Sequence, residues 1–517
     1  MFLGCFATVL SVSLFSETVG GSQSVGRPRV TQVSATDAQI RIEVSAPETN
    51  GTWNLVEFPV WTAKDEKPAI IWTQAFEANP DASATVAVPR FVGGGTPDRR
   101  DRLFSRWSVI KDERTEASFE TRYVDVVMDV EKIGHPELRS KKGLGGFASH
   151  RGHLDDLDTL GIDTVTVNLP LRFFRTTPGP DREKVVESGY TFYIDKRVLQ
   201  RFDATLRFAA ERDALVFGIL LVGVNRDQPA STQPLVHPDY DPAGVFAMPD
   251  LTTPKGVAAY AAAVKTLAER YCRSDGQFGR IHHWIVHNEA DAGWQWTNAG
   301  TKKLPDYVDL YYRSMRITHL IGRSYDPESK VLVSLTHSWK KPAIPRGYST
   351  RRFLELLVSK SRSQGNFDWA VAYHPYPSSL RNPATWSDHD ALFSNETPKV
   401  TFRNLEVLCE WARRTENLYE GKTRDLYLTE QGFNSPSYSE DDLQRQAAGL
   451  AYAWKKISAL PEIKAMHYHN WMDNRHEGGL RIGLRRFPDD DVHPSGPKPA
   501  WHLYKALGTA SEAEACE

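Results

Sequence analysis

The sequence predicts an α/β protein in which a (β/α)8 barrel, the TIM-barrel fold, follows a small β-sandwich-like domain. Three observations lead to this prediction. Strand-like alternation fills residues 28–130, the rhythm then changes to apolar runs separated by amphipathic stretches, and that second pattern repeats eight times. The chain has 517 residues, 40% of them hydrophobic and 25% charged, which is a globular composition and too long for one ordinary domain.

The N-terminus carries an uncharged apolar run, FLGCFATVLSVSLF, of the length found in the core of signal peptides. A small and polar stretch, ETVGGSQS, follows it and offers a cleavage site. The run lacks a basic flank, since the first cation is Arg27, so a mis-assigned start codon remains an alternative. We predict that residues 1–24 are a signal peptide and that the mature protein is secreted or periplasmic. No later segment has the ~18 consecutive apolar residues of a transmembrane helix, so we expect no membrane partner.

Residues 28–130 form the predicted β-sandwich-like accessory domain. The segments TDAQIRIEVSA, WNLVEFPVW and SATVAVPRF are strand-like, and NGT, GGGTPD and KDE are typical of turns. We expect this domain to pack against the rest of the chain. The charged and glycine-rich segment HPELRSKKGLGG after it is a predicted linker.

Residues 143–510 form the predicted barrel. Its strands are, in order, GLGGFASH, DTVTVNLPL, ALVFGILLVG, IHHWIVHNEAD, KVLVSLTHS, FDWAVAYHPY, DLYLTEQGF and IKAMHYHNWM. Amphipathic, helix-like stretches separate most of them, which is typical of parallel βα units. A doubly wound nucleotide-binding sheet is disfavoured, because neither GxGxxG nor GxxxxGK[ST] occurs.

Active sites of such barrels lie at the carboxyl ends of the strands, and two of these ends carry glutamate. Glu289 closes the fourth strand and Glu430 closes the seventh. By alternation, Glu289 shares a face with Ile285 and Glu430 shares one with Leu428, so the two carboxylates converge if those faces point inward. Glycosidic bond cleavage needs two such carboxyl groups, one protonated and one ionised.

Further residues at the strand ends make the chain resemble the clan A glycoside hydrolases. The resemblance covers residues of about 143–507 and is specific to the clan rather than to one family. It rests on the Asn288-Glu289 pair, Glu430, His374 and Tyr376 in AYHPYP, Trp471 in HYHNWM, and the closing segment KPAWHLYKAL. The resemblance implies a retaining (β/α)8 glycosidase that acts on a poly- or oligosaccharide without a cofactor.

The resemblance also implies individual roles. Glu430 would be the nucleophile and Glu289 the general acid/base, with Asn288 bonding the hydroxyl next to the anomeric carbon. His374 and Tyr376 would contact the nucleophile and the substrate; Tyr373 is the alternative to Tyr376 as the residue that orients the nucleophile. Trp471 would form the floor of the subsite for the covalently bound sugar. Many clan members have proline after the acid, whereas this chain has Ala290, which leaves Asp291 as a rival acid.

Four more residues are predicted to bind substrate. Trp294 and Trp296, just beyond Glu289, offer flat faces on which a sugar can stack. His150 and Asn168 lie at the ends of the first two predicted strands.

Other function classes are weaker. A metal-dependent hydrolase is an alternative because the chain contains His282-His283-x3-His287 and His467-x-His469, but an H-x-H pair is most telling on a first strand and no H-E-x-x-H occurs. An inactive carbohydrate-binding barrel is another. The formal net charge of −2 gives no strong field for nucleic acid. The four cysteines are far apart, so a zinc ribbon and a disulfide-rich scaffold are excluded.

Overall fold

The computed structural model describes residues 28–45, 52–62, 70–79, 83–93, 99–111, 120–227, 229 and 233–516. The predicted signal peptide, residues 1–24, lies outside these ranges. Within them, a closed barrel of eight parallel strands follows a set of mainly antiparallel sheets. The predicted fold class, a TIM barrel with an N-terminal β-sandwich-like domain, is therefore confirmed.

In the described residues, nine strands precede the barrel. They are β1 (Arg29–Ala35), β2 (Gln39–Ser45), β3 (Thr52–Phe58), β4 (Trp72–Glu77), β5 (Ser83–Pro89), β6 (Phe91–Val92), β7 (Arg100–Asp101), β8 (Arg106–Ile110) and β9 (Val126–Val127). One sheet has the order β5-β2-β1-β9, a second has the order β4-β3-β8, and β6 pairs with β7. On β2 and β5 apolar residues alternate with more exposed ones, as expected for strands with one buried face.

The next strands build the barrel and a small inserted sheet. They are β10 (Lys142–Leu144), β11 (Thr164–Pro170), β12 (Phe174–Arg175), β13 (Arg182–Glu187), β14 (Tyr190–Asp195), β15 (Leu215–Leu221), β16 (His283–Val286), β17 (Lys330–Thr336), β18 (Trp369–His374), β19 (Leu426–Gln431) and β20 (Ile463–Tyr468). The barrel order is β10-β11-β15-β16-β17-β18-β19-β20, and β20 closes the ring against β10. Strands β12, β14 and β13 form a separate antiparallel sheet after the second barrel strand.

Helices cover the outside of the barrel. They are α1 (Asp156–Thr159), α2 (Lys196–Ala210), α3 (Pro254–Tyr271), α4 (Gly293–Trp296), α5 (Leu304–Tyr325), α6 (Thr350–Ser363), α7 (Glu406–Arg413), α8 (Glu440–Ser458), α9 (Pro499–Ala506) and α10 (Glu512–Ala515). Their starts follow ordinary capping chemistry: the side chains of Thr253, Ser349 and Ser439 accept backbone hydrogen bonds at the beginnings of α3, α6 and α8. Among the described residues, no helix combines the length and the apolar character needed to cross a bilayer.

The barrel interior is a small apolar cluster surrounded by a larger outer core. Alternate residues of β15, such as Phe217 and Ile219, point into this interior together with Ile285 and Tyr427. Gly143 on β10 leaves room for an inward histidine, because a Cβ at this position would lie 2.0 Å from the ring of His467. The inner cluster therefore defines which strand positions face the barrel axis.

The N-terminal sheets are attached to the outside of the barrel at α3 and α5. From α5, the Arg313 guanidinium donates hydrogen bonds to the carbonyl oxygens of Trp61 and Thr62, and Arg316 donates one to that of Val124. From α3, Lys265 forms an ion pair with Asp101. Buried charged side chains thus supply much of the polar contact between these two parts.

Candidate active site

The fourth barrel strand ends in a sharp turn that carries the first predicted carboxylate. β16 stops at Val286, and both His287 (φ 62°) and Glu289 (φ 39°) have left-handed backbone conformations, which are uncommon for residues other than glycine. The backbone N–H of Glu289 donates to Ser334 Oγ at 2.9 Å, which ties the turn to the fifth strand. Strained backbone of this kind is concentrated at functional sites.

Glu289 is paired with His374, which ends the sixth strand. His374 Nδ1 lies 3.0 Å from Glu289 Oε1, and His374 Nε2 lies 3.4 Å from Ser334 Oγ. Burial raises the pKa of Glu289, assisted by the charge of Glu430 and opposed by His374. The charges of Glu430 and Glu289 raise the pKa of His374 despite its burial. The pair therefore holds protons more strongly than either group would in water.

Glu430 lies opposite this pair and is bound by a tyrosine. The Tyr376 hydroxyl donates to Glu430 Oε1 at 3.2 Å, and burial with the neighbouring carboxylates raises the pKa of Tyr376, so the hydroxyl stays a donor. Tyr373 instead donates to the carbonyl oxygen of Val400 at 3.1 Å. Of the two tyrosines proposed for this role, the structure brings Tyr376 to the carboxylate.

The two glutamates face one another closely. One donor atom from each of Glu289, His374 and Glu430 lies within 4.8 Å of the other two. A histidine with two carboxylates is also a donor set that can hold a divalent ion such as Zn²⁺. The same three side chains are thus compatible with paired-carboxylate chemistry and with metal binding.

Three of the five histidines that favoured a metal hydrolase serve other purposes. His282 Nδ1 and His283 Nδ1 each accept a backbone N–H, from Val216 and Lys330 respectively. His287 packs outward near the ring of Tyr311 on α5. These side chains do not join the group formed by the two glutamates.

Asp291, the rival acid, is a fully buried structural residue. Its Oδ1 accepts the backbone N–H of Thr336 at 2.9 Å, and its Oδ2 accepts the Thr350 hydroxyl at 2.7 Å. Burial raises its pKa. Its hydrogen bonds join the fourth strand end to the fifth strand and to α6 rather than serving the cleft.

Trp471 does not form a subsite floor in this structure. Its side chain has no exposed surface, its indole N–H donates to Asp156 Oδ2 at 2.7 Å, and its ring packs 5.5 Å from that of Phe147. The resemblance placed this residue correctly at the eighth strand end, but the buried hydrogen bond to Asp156 turns the ring into the core.

The remaining predicted residues lie around the mouth of the barrel. Trp294 and Trp296 are both half-buried on α4. The Arg346 guanidinium lies 4.0 Å from the centroid of the Trp294 ring. The Phe246 ring lies 6.4 Å from that of Trp296. Three further residues are at least partly exposed: Asn168 on β11, His150 after the first strand and Asn288 before the turn. Among the described residues, no side-chain hydrogen bond or ion pair links these five residues to the carboxylates of Glu289 and Glu430.

Sequence reasoning missed Glu477, which follows the eighth strand in the segment NRHEGG. Its Oε1 accepts a hydrogen bond from Asn470 Nδ2 at 2.7 Å and lies 3.6 Å from His469 Nε2. The sequence presents His469 as one half of the His467-x-His469 pair, which favours hydrogen-bonded strand histidines over metal ligands. A polar loop without periodicity gives no positional signal, although the density of His, Asn and Glu after a strand end is a clue.

Three solved structures are similar to this chain at low sequence identity. A family 39 glycoside hydrolase from Bacteroides cellulosilyticus WH2 matches at 14% identity and a TM-score of 0.46, over 94% of this chain and 83% of the other. A glucosidase from Croceicoccus marinus matches at 15% and 0.44, over 73% and 70%. β-Glucuronidase 2 of Bacteroides uniformis matches at 13% and 0.41 over 93% of this chain, which spans about half (49%) of that protein.

Curated proteins yield no significant match to this sequence. A family model, described as a family of unknown function (DUF5722), matches residues 134–517, which include every barrel strand and both glutamates. This protein is therefore a member of the DUF5722 family.

Proposed function

We propose that this protein is a retaining glycoside hydrolase that cleaves a poly- or oligosaccharide through a covalent intermediate. The observation that supports it most directly is the pair Glu289 and Glu430, with carboxylate oxygens within 4.8 Å at the fourth and seventh strand ends. Retaining enzymes hold their carboxyl groups about 5–5.5 Å apart, whereas inverting enzymes leave about 6.5–9.5 Å for a water.

The surroundings of Glu289 and Glu430 favour a different role for each carboxyl group. The raised pKa of Glu289 favours the protonated form, which is the state a general acid requires. Glu430 accepts the Tyr376 hydroxyl, which stabilises and orients a carboxylate for attack. Environment thus separates the acid from the nucleophile.

The proposed reaction has two steps. Glu289 donates its proton to the glycosidic oxygen as that bond breaks, and Glu430 attacks the anomeric carbon to form an ester with the sugar. Glu289, now ionised, removes a proton from water; the water oxygen attacks the anomeric carbon and Glu430 leaves as the carboxylate. Trp294 and Trp296, on the short helix after Glu289, are proposed to bind the leaving-group side of the substrate.

Aryl glycosides with an activated leaving group test this proposal. Across a panel of sugars, Glu430→Ala should lose nearly all turnover, whereas Glu289→Ala should recover turnover when azide is added, because azide needs no base. Glu410→Ala, an exposed carboxylate on α7, is the control. Mass spectrometry after reaction with a 2-fluoro glycoside should find the sugar on Glu430. Unchanged turnover in both active-site variants would contradict the assignment.

Metal-dependent hydrolysis is the second candidate, because Glu289, His374 and Glu430 could bind an ion. The two candidates predict opposite results with a chelator. A glycosidase that uses only its carboxyl groups keeps full activity after dialysis against EDTA, whereas a metal hydrolase loses activity and regains it with Zn²⁺. An inactive barrel would bind oligosaccharides without hydrolysing any glycoside in the panel.

Export and domain organisation also remain proposals. We propose cleavage of a signal peptide within residues 1–24, an accessory domain over residues 28–130 and a catalytic domain over residues 143–510. N-terminal sequencing of the exported protein tests the first, and limited proteolysis tests the boundary between the other two.

A further inference from the structure

The eighth strand ends in a polar group that the proposed reaction does not use. His469 follows β20 directly, and its backbone N–H donates to the carbonyl oxygen of Gln431 at 2.7 Å, which places it beside the end of the strand that carries Glu430. Gly145 packs closely beside it, because a Cβ at this position would lie 3.1 Å from His469 Cβ. The imidazole is 20% exposed.

Glu477 forms an ion pair with this imidazole. Its Oε1 lies 3.6 Å from His469 Nε2 and accepts hydrogen bonds from Asn470 Nδ2 at 2.7 Å and Asn474 Nδ2 at 3.3 Å. Asn470 is fixed in turn, because its Oδ1 accepts the Arg151 guanidinium at 2.6 Å. A histidine whose one nitrogen faces a carboxylate has a defined tautomer and orientation.

The charges around His469 favour its cationic form. Glu430 faces it from the seventh strand, Glu477 from its own loop, and Arg151 from the loop after the first strand. The two carboxylates raise the pKa of His469, although burial and Arg151 act in the opposite direction. Its nitrogens have different surroundings: Nε2 faces Glu477, whereas Nδ1 has no hydrogen-bond partner among the described residues.

We propose that His469 is a substrate-binding cation of the active site and that Glu477 is the residue that positions it. This inference rests on the proposed glycosidase function. Nε2–H is directed to Glu477, so Nδ1–H of the imidazolium is available to donate to an oxygen of the sugar bound against Glu430. The same positive charge attracts the Glu430 carboxylate. Glu289, His374 and Tyr376 face Glu430 from the other side.

Three variants and a matched control test the proposal: His469→Gln, Glu477→Gln, the double variant and His476→Gln. His476 is an exposed histidine next to Glu477 in the same loop. The measurement is kcat and KM for the best aryl glycoside as a function of pH. His469→Gln should move the acidic limb of kcat/KM upward by about one pH unit, because a cation near the nucleophile is lost, and should raise KM.

Glu477→Gln should move the limb in the same direction, and the double variant should shift it no further than His469→Gln, because Glu477 acts through His469. His476→Gln should leave kcat, KM and the limb unchanged. An unshifted limb in His469→Gln would overturn the proposal. So would a shift to lower pH in Glu477→Gln, which is the effect expected if Glu477 acted only through its own negative charge.

A second readout separates this inference from the proposed function. If wild-type protein hydrolyses no glycoside, the proposed function fails, but the charge of His469 can still be measured by NMR of protein labelled with ¹⁵N-histidine. The signal lost in His469→Gln identifies the residue. An imidazolium at pH 7 that becomes neutral in Glu477→Gln supports the pairing, and a neutral imidazole in the wild type overturns it.

Discussion

Replacing Asp156 with asparagine should destabilise the closure of the barrel. Asp156 is fully buried on α1, after the first strand, and receives donors from the other end of the chain. Its Oδ1 accepts Arg485 Nη2 at 2.6 Å and Trp501 Nε1 at 3.1 Å, and its Oδ2 accepts Arg485 Nε at 2.6 Å and Trp471 Nε1 at 2.7 Å. One carboxylate therefore joins the first βα unit to the last.

The expected loss in the free energy of unfolding follows from this geometry. Each oxygen of Asp156 faces two N–H donors. In either orientation of an asparagine amide, the NH2 group would therefore face two other donors. The substitution also leaves the Arg485 guanidinium, only 8% exposed, without its counter-charge. Removing one partner of a buried ion pair costs about 3–5 kcal/mol, and we expect Asp156→Asn to lower the free energy of unfolding by that amount.

Urea unfolding followed by circular dichroism and by tryptophan fluorescence measures the effect. Asp155→Asn is the matched control, because Asp155 is the exposed neighbour and its side chain makes no capping hydrogen bond. If Asp156→Asn unfolds within about 0.5 kcal/mol of that control, the size of an ordinary surface change, the carboxylate does not hold the two ends together and the reasoning is wrong.

Three further predictions concern the site and the packing of the N-terminal sheets. Tyr376→Phe removes a hydrogen bond to a carboxylate, worth about 1.5–3 kcal/mol, so kcat/KM should fall about 10- to 100-fold, whereas Tyr373→Phe should have a much smaller effect; equal losses would contradict this. His374→Gln removes a positive charge beside the proposed acid and should raise that acid's pKa, so the basic limb of kcat/KM should move to higher pH; a shift to lower pH would refute the pairing. Arg313→Met removes the guanidinium bonds to the N-terminal part and should speed proteolytic cleavage between the two parts, compared with the exposed control Arg352→Met.

The fold was predictable because each barrel unit carries a local signal. β15, LVFGILL, is apolar throughout, as expected for a strand buried on both faces. α3 begins at Pro254, because the first turn of a helix tolerates proline. The inserted strands β12, β13 and β14 were not predicted, because β12 has only two residues and β13, REKVVE, consists mostly of charged residues.

Tertiary packing determines the parts of the site that could not be predicted from the sequence. Trp471 matched its expected position in the chain, but the direction of its ring depends on Asp156, more than 300 residues away in the sequence (|i−j| = 315). Glu477 lies in the loop after the eighth strand. Its partners His469 and Asn470 lie earlier in that loop, next to the strand end. Contacts of this kind follow from tertiary structure, and the only sign of them in the sequence is the density of polar residues after a strand end.

Regular strand alternation does not explain why Glu430 lies at the cleft. Leu426 and Leu428, which share its strand parity, belong to the outer core, whereas Tyr427 faces the barrel interior. Regular pleating would therefore direct Glu430 outward. The pairing with β20 shifts register between Leu428 and Gln431, and such a bulge re-aims the side chain that follows it.

At the end of the fourth strand, a different backbone irregularity directs Glu289 to the barrel mouth. Ile285 faces the interior, so alternation would carry His287 inward and Glu289 after it, but His287 packs outward near Tyr260 and Tyr311. Two left-handed residues, His287 and Glu289, then return the carboxylate to the barrel mouth. Both glutamates thus stand where regular strand geometry has been broken. If the proposed function is correct, the irregular backbone at these two ends, rather than the regular strands, sets the separation of the carboxyl groups and with it the retaining outcome.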